Sequence, residues 1–173
     1  ETPLDPTFRD ERMALSVEWG RPLGRELRGV FQGHFSGEHD YKSMGLSATL
    51  ARDFNTRNTT FTGGLSYNKD EVDPVGGMPI GLSDTLLRAR TDSMGEKDVL
   101  EALLGVTQVL NRNSLLQLNY TYGNDSGYLT DPYKLVSVVD AGGNPASIVH
   151  EKRPEDRTRH ALYARTLTAF RRD

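Results

Sequence analysis

The sequence contains no cysteine, and this absence excludes disulfide frameworks, thiolate metal sites and thiol nucleophiles. It also lacks any apolar run that approaches the ~20 residues needed for a membrane-spanning helix. Its net charge of −3 argues against a nucleic-acid partner held by broad attraction to phosphates. Membrane-crossing β-strands are not excluded, because each strand offers only every second residue to lipid.

The 173 residues are enough for one domain, and most of them follow a period of two. The clearest stretch is 115–122, where Leu116, Leu118, Tyr120 and Tyr122 alternate with mostly polar residues. Such alternation predicts a β-strand with one apolar and one polar face. Seven stretches of this kind are predicted as strands: 13–19, 27–35, 43–50, 60–67, 100–106, 115–122 and 162–170.

The predicted connections alternate in length along the chain. Three are short, at 22–26, 55–58 and 111–113, and three are longer, at 37–42, 68–97 and 123–157. Bacterial outer-membrane barrels have short periplasmic turns and long outer loops. The pattern therefore predicts an all-β fold, an antiparallel up-and-down transmembrane β-barrel in the bacterial outer membrane, with long outer loops at 68–97 and 123–157.

The strand count predicts that this barrel is larger than the seven strands. If the short turns are periplasmic, the first strand runs inward from the outside. Outer-membrane barrels of one bacterial chain have even strand numbers and usually start and finish in the periplasm. We therefore expect residues 1–173 to form a single β-barrel domain or a fragment of one, with at least one further strand upstream.

The alternation also assigns side chains to the two sides of the predicted barrel wall. Opposite charges such as Glu18 and Arg28 are expected to pair across adjacent strands and to fill or line the interior. The candidate lumen-lining residues are Glu18, Arg28, Gln32, His34, Thr49, Thr60, Thr62, Gln117, Asn119 and Arg165. The candidate lipid-facing aromatic belt consists of Trp19, Phe35, Tyr67, Tyr120, Tyr122 and Phe170, since aromatic rings favour the membrane interface.

Two groups of polar residues in the predicted outer loops are candidate ion-binding sites. Glu38, His39 and Asp40, with His34 nearby, are compatible with a metal or proton site or with a solvated charged loop. The stretch 70–73, with its three carboxylates, could hold calcium through their oxygens. Its spacing lacks the regular ligand pattern of a calcium loop, and we predict no bound metal or cofactor.

The loop 123–157 has two further features. Asp131, Pro132 and Tyr133 are typical of a loop fixed by turn chemistry, or of a plug or contact surface at the barrel mouth. The apolar stretch 133–139 predicts a hairpin or a segment folded onto that mouth. The mixed-charge run predicts an ion-pair ladder just above the membrane, near lipopolysaccharide; its residues are Arg153, Glu155, Asp156, Arg157 and Arg159.

The second half of the chain resembles a known family. The stretch from LGVTQVLNRN to DPYKLVSVVD, together with RPEDRTRHALY at 153–163, is similar to uncharacterised bacterial outer-membrane proteins catalogued as DUF3570. The run SGYLTDPYKLVSVVD at 126–140 is its most specific part. The resemblance implies a barrel longer than this chain. It assigns no catalytic residues, and it suggests a small lipoprotein or a redox protein as partner.

Three functions are compatible with these observations. The first is a pore, an export conduit or a sheath for a partner protein, in contact with outer-membrane lipid and lipopolysaccharide. The second is a barrel enzyme acting at the outer rim, to which His34 and Asp40 could belong, although a third catalytic member is missing. The third is a soluble β-sandwich interaction module.

Overall fold

The fold is all-β in the computed structural model, which describes residues 11–83 and 90–169. The strands are β1 (Met13–Pro22), β2 (Leu27–Gly37), β3 (Tyr41–Phe54), β4 (Thr59–Val72), β5 (Met78–Pro79), β6 (Arg90–Thr91), β7 (Gly95–Asn111), β8 (Ser114–Gly127), β9 (Leu135–Val139), β10 (Pro145–His150) and β11 (Asp156–Thr168). No helix in the described part of the chain is long and apolar enough to cross a membrane.

Seven strands form one antiparallel sheet in the order β1-β2-β3-β4-β7-β8-β11. Each strand pairs with the next large strand along the chain, which confirms the predicted seven-stranded antiparallel meander. Within the described residues the sheet is open, and β1 and β11 are its edges. The described residues contain no second large sheet that could form the other layer of a sandwich.

The two ends of the sheet differ, and we call them the turn end and the loop end. The turn end carries the short connections 23–26, 55–58 and 112–113. The loop end carries the short connection 38–40 and the long connections 73–94 and 128–155. The long loops contain two small hairpins, β5–β6 and β9–β10, and the second confirms the hairpin predicted within 133–139.

Several predicted boundaries were wrong. The loops predicted at 68–97 and 123–157 are shorter, because β4, β7, β8 and β11 continue to pair beyond their apolar segments. Charged pairs such as Lys69–Glu96 support these extensions, so the end of the apolar alternation does not mark the end of the strand. The connection predicted at 37–42 is also shorter, and Phe170 lies outside the described residues.

The described residues contain almost no hydrophobic core. Met78 and Val149 are their only buried hydrophobic side chains, and both lie at the loop end. By contrast, Leu46 is 71% exposed and Leu162 is 77% exposed. A water-soluble domain is stabilised mainly by burying such side chains, so one face of this sheet is apolar without any described part of the chain covering it.

Strand register explains why one face is apolar throughout. Residues directly opposite one another in an antiparallel pair point to the same side of the sheet. The pairs Leu46–Tyr67 and Tyr67–Leu100 therefore continue one apolar surface across β3, β4 and β7. We call this side the apolar face and the other side, which carries Ser47 and Ser66, the polar face.

Candidate functional site

The polar face is the part of the sheet that carries chemically active groups. The register places all ten candidate lumen residues on this face. The five belt candidates within the described residues, Trp19, Phe35, Tyr67, Tyr120 and Tyr122, lie on the apolar face. The structure thus bears out the division between faces, while the lumen and lipid roles stay predictions.

The expected pairing of Glu18 with Arg28 is wrong. Glu18 lies opposite Gln32, whereas Arg28 lies opposite Pro22, four pairs closer to the turn end. The Arg28 guanidinium instead donates to Asp53 on β3 at 3.1 Å, and Thr60 on β4 donates to the same Asp53 oxygen at 2.8 Å. Alternation gives a residue's face but not its position along the neighbouring strand, so the partner could not be assigned from sequence.

The centre of the charged region is Asp125, which is 1% exposed. Arg157 lies directly opposite it on β11 and donates to Asp125 Oδ2 through Nε at 2.9 Å and through Nη2 at 2.5 Å. Arg159 donates to Asp125 Oδ1 at 2.9 Å and to Glu101 on β7 at 3.0 Å. Charge-assisted hydrogen bonds of this kind are strong and directional, so they fix β7, β8 and β11 relative to one another.

A glycine makes this network possible. Gly123 separates Glu101 from Arg159 in the same row across the sheet. A Cβ built on Gly123 would lie 3.3 Å from Arg159 Nη2, so a side chain there would crowd the guanidinium as it crosses β8. The role of Asp125 was not predicted from the sequence. The available signal was the pair of arginines spaced two residues apart, Arg157 and Arg159, but the register was needed to place Asp125 between them.

The arginines of the mixed-charge run 153–159 form ion pairs, but with carboxylates outside the run, and the place of the run above a membrane stays a prediction. Arg157 and Arg159 pair with Asp125 on another strand. Arg153 pairs with Glu151 at 2.8 Å, just outside the run. Side chains alternate between the faces along β11, so Arg157 and Arg159 both point to the polar face while Asp156 points to the apolar face. Asp156 therefore cannot pair with its neighbour Arg157.

A second ion pair lies nearer the loop end of the polar face. Lys97 on β7 contacts Asp70 on β4 at 2.7 Å, and its ammonium lies 5.9 Å from the ring centroid of Tyr41. Asp70 and its neighbour Glu71 point to opposite faces because they are consecutive in a strand. The carboxylates of Asp70 and Glu71, considered as candidate calcium ligands, therefore do not converge.

A partly open cavity of 460 Å³ lies against this end of the polar face, and the connections 38–40 and 128–155 line its other side. Lys97 and Arg157 line it from the sheet, and Tyr128 and Tyr133 line it from the loop. Tyr133 donates to Asp40, and burial together with this hydrogen bond raises the pKa of Tyr133, so the phenol stays protonated. Tyr128 Oη is buried and has no hydrogen-bond partner among the described residues.

Backbone and charged contacts hold the two long loops to each other. Leu82 N donates to His150 O at 3.0 Å, which joins the loop 73–94 to β10. Lys134 contacts Glu151 at 2.9 Å. The hydrogen bond from Lys134, with a smaller contribution from Arg153, holds the pKa of Glu151 below its ordinary value. The loops therefore form one cap on the sheet rather than two independent segments.

The predicted metal and catalytic groups do not come together. No group of three His, Asp or Glu side chains within residues 11–83 and 90–169 could hold a metal ion. Glu38 pairs with Arg12 at 3.3 Å, and Asp40 accepts from Tyr133. His160 lies on the apolar face, where its Nδ1 is 2.7 Å from Tyr120 Oη.

Comparison with family models matches the whole chain, residues 1–173, to the family described as "Protein of unknown function (DUF3570)". Comparison with curated proteins and with solved structures finds no match. The match covers both halves of the chain. The resemblance described from the sequence rested on motifs of the second half alone. This chain, with its sheet of one apolar and one polar face, belongs to the DUF3570 family.

Proposed function

We propose that the sheet is part of the wall of a transmembrane β-barrel in the bacterial outer membrane, and that its polar face lines a water-filled passage. The observation that carries this proposal is the shape of the apolar face. On four successive strands, an apolar segment lies between two polar residues of the same face that are about ten positions apart. These boundaries are Lys42 and Arg52, Lys69 and Thr59, Asp98 and Gln108, and Asn124 and Ser114.

The apolar segments are staggered from strand to strand. From β3 to β8 both boundaries move toward the turn end by about four residue positions across three strand pairs. Four residues are about 13 Å along a strand and three pairs are about 14 Å across the sheet, so the apolar band runs at roughly 47° to the strands. If the band lies in the membrane plane, the strands tilt by roughly 43° from the membrane normal. Strands in membrane barrels tilt by ~35–45°.

The same numbers give the height of the band. Ten residues span ~33 Å along a strand, and a tilt of ~40° reduces this to ~25 Å along the membrane normal. That is the height of the apolar belt of outer-membrane barrels. A soluble sheet has no reason to keep this height constant while shifting it from strand to strand.

The open edges support a barrel with more strands than these seven. β1 and β11 both run from the loop end to the turn end, so they cannot pair antiparallel with each other. An antiparallel closed barrel needs an odd number of additional strands between them. Closure matters because each unsatisfied backbone group in lipid costs several kcal/mol.

The size of the polar-face side chains supports a passage rather than a filled interior. Narrow barrels fill their centre with large side chains. On β3 and β4 the middle of the polar face is instead small: Ser43, Gly45, Ser47, Thr49, Ala51, Thr62, Gly64 and Ser66. In a narrow barrel these small side chains would leave the centre unfilled. In a wide barrel water fills the space in front of them. Outer-membrane lipid would contact the apolar face.

Fluorescence of Trp19 tests the membrane assignment, since it is the one tryptophan of the sequence and lies on the apolar face, half exposed. In vesicles that contain the full-length protein, with any tryptophan outside residues 1–173 replaced by phenylalanine, lipids brominated on their acyl chains should quench Trp19. The control variant Trp19→Phe with Gln32→Trp moves the indole to the polar face, where aqueous iodide should quench it instead. Quenching of Trp19 by iodide alone would contradict the membrane assignment.

Conductance tests the passage. The full-length protein in a planar bilayer should produce stepwise currents. A protein that inserts and shows Trp19 quenching but carries no current would exclude the passage, and a polypeptide that copurifies inside it would identify a sheath.

A further inference from the structure

We infer that the polar face presents a positive surface to the proposed lumen, so that the passage favours small anions over small cations. The inference rests on the proposed function and specifies which ions that passage takes. The observation behind it is the unequal exposure of the two partners in each ion pair on the polar face.

In every ion pair involving a buried aspartate on this face, the aspartate lies beneath its basic partner. The Asp53 side chain is 9% exposed and that of Arg28 is 57% exposed. Asp70 is 7% exposed against 27% for Lys97. Asp125 is 2% exposed, whereas Arg157 and Arg159 are 56% and 44% exposed.

The opposite face shows the reverse order. In the Lys69–Glu96 pair, just beyond the apolar band, the lysine is 37% exposed and the glutamate is 59% exposed. The exposed arginine tips are therefore a property of the polar face rather than of every ion pair in the sheet.

The formal charges of the polar face nearly cancel, so the predicted effect is short in range. Glu18 and Glu101 are the acidic groups on it that are not buried, and Arg165 adds an exposed cation without an ion-pair partner among the described residues. An ion within a Debye length of the wall, ~8–10 Å, meets guanidinium groups before it meets carboxylates. Rings of Arg and Lys select anions in other pores by this means.

The positive groups are also unevenly distributed. Arg157 and Arg159 lie on β11 beside β8, whereas the middle of the polar face on β3 and β4 carries only small or uncharged side chains. We therefore expect the anion preference to be strongest near β8 and β11 and weak near Ser47.

Cysteine modification measures this local potential, because the sequence has no cysteine of its own. Thr121→Cys places a thiol on the polar face two residues from Gly123, which Arg159 crosses. Ser47→Cys is the matched control on the small-residue side. In vesicles containing the full-length protein, with any cysteine outside residues 1–173 replaced by serine, an anionic methanethiosulfonate should modify Thr121→Cys at least about threefold faster than a cationic one. Each rate is normalised to that of free cysteine.

Three outcomes are informative. Loss of the preference in Arg157→Gln with Arg159→Gln, together with no preference at Ser47→Cys, supports the inference. Equal rates for both reagents at Thr121→Cys, or a faster cationic reagent, overturn the anion preference and leave the passage in place. No modification of either cysteine by either reagent means that water does not reach the polar face, and this overturns both proposals.

Discussion

The apolar and polar faces of this sheet are made from alternate residues of the same seven strands, yet the surroundings of their side chains differ. On the apolar face, large side chains such as Leu65 and Leu104 are more than half exposed and no described residue covers them. On the polar face, carboxylates such as Asp125 are buried beneath arginines. This difference is what the proposed barrel wall would require, with one face toward lipid and the other toward water.

The largest expected effect comes from placing a charge on each face in turn. Leu65→Arg introduces a guanidinium near the middle of the apolar band, where an arginine facing lipid costs ~2–4 kcal/mol. Its sequence neighbour Ser66 points to the polar face opposite Ser47 and Glu101, so Ser66→Arg should change the free energy of unfolding by under ~1 kcal/mol. Urea unfolding in vesicles measures both. Equal losses in the two variants would mean that the two faces share one environment.

A comparison of two ion pairs should give the next largest effect. Asp125→Asn leaves Arg157 and Arg159 without their shared carboxylate and should cost ~1–3 kcal/mol, because buried groups lose their partner while the half-exposed arginines recover some hydration. Glu96→Gln removes the exposed pair with Lys69 on the other face and should cost ~0–1 kcal/mol. Urea unfolding midpoints of the two variants test this order. A larger loss in Glu96→Gln would contradict the view that Asp125 organises the charged region.

These two comparisons also show how much of the molecule could be predicted from its sequence. Seven strands and the faces of residues such as Gln32 and Tyr67 followed from a period of two, which is a local property. The Arg28–Asp53 and Arg157–Asp125 pairs did not follow, because a partner depends on the register between strands, and that depends on the lengths of turns and strand extensions. The loop-end cavity could not be predicted for the same reason, since the connections 38–40 and 128–155 that line it are far apart in the sequence.

Acid should loosen the loops over the polar face while leaving the apolar face unchanged. The pKa of Glu151 is held below its ordinary value by Lys134 and Arg153. Glu151 therefore adds stability above its ordinary pKa of ~4.3, and this contribution is lost as the pH falls through the lower folded value. Hydrogen exchange, corrected for the intrinsic rate, should show reduced protection of the Leu82 amide at low pH.

The variant Glu151→Gln is the control for this pH effect. It lacks the titrating group, so protection of Leu82 should be low at neutral pH and should change little on acidification. Protection that falls with acid to the same extent in Glu151→Gln would assign the effect to a different group.

The smallest expected effect is the difference in stability between alanine substitutions at two glycines, one on each face, that have different amounts of space around them. A Cβ on Gly63, on the apolar face, has no neighbour within 4 Å. Gly63→Ala should therefore stabilise the sheet by ~0.5 kcal/mol, because glycine loses more backbone freedom than alanine when a strand forms. A Cβ on Gly45, on the polar face, would lie 1.9 Å from Asn68 Oδ1 and 2.4 Å from His34 Cε1.

Those two side chains lean over Gly45 from the strands on either side, so Gly45→Ala must displace them. The displacement should offset the entropic gain and make Gly45→Ala neutral or destabilising by ~0.5 kcal/mol. Urea midpoints of the two variants in the same vesicles measure the difference. If Gly45→Ala proved as stabilising as Gly63→Ala, His34 and Asn68 would have open space to rotate into. The polar face would then resemble the lining of a wide, water-filled lumen even more closely than its small side chains suggest.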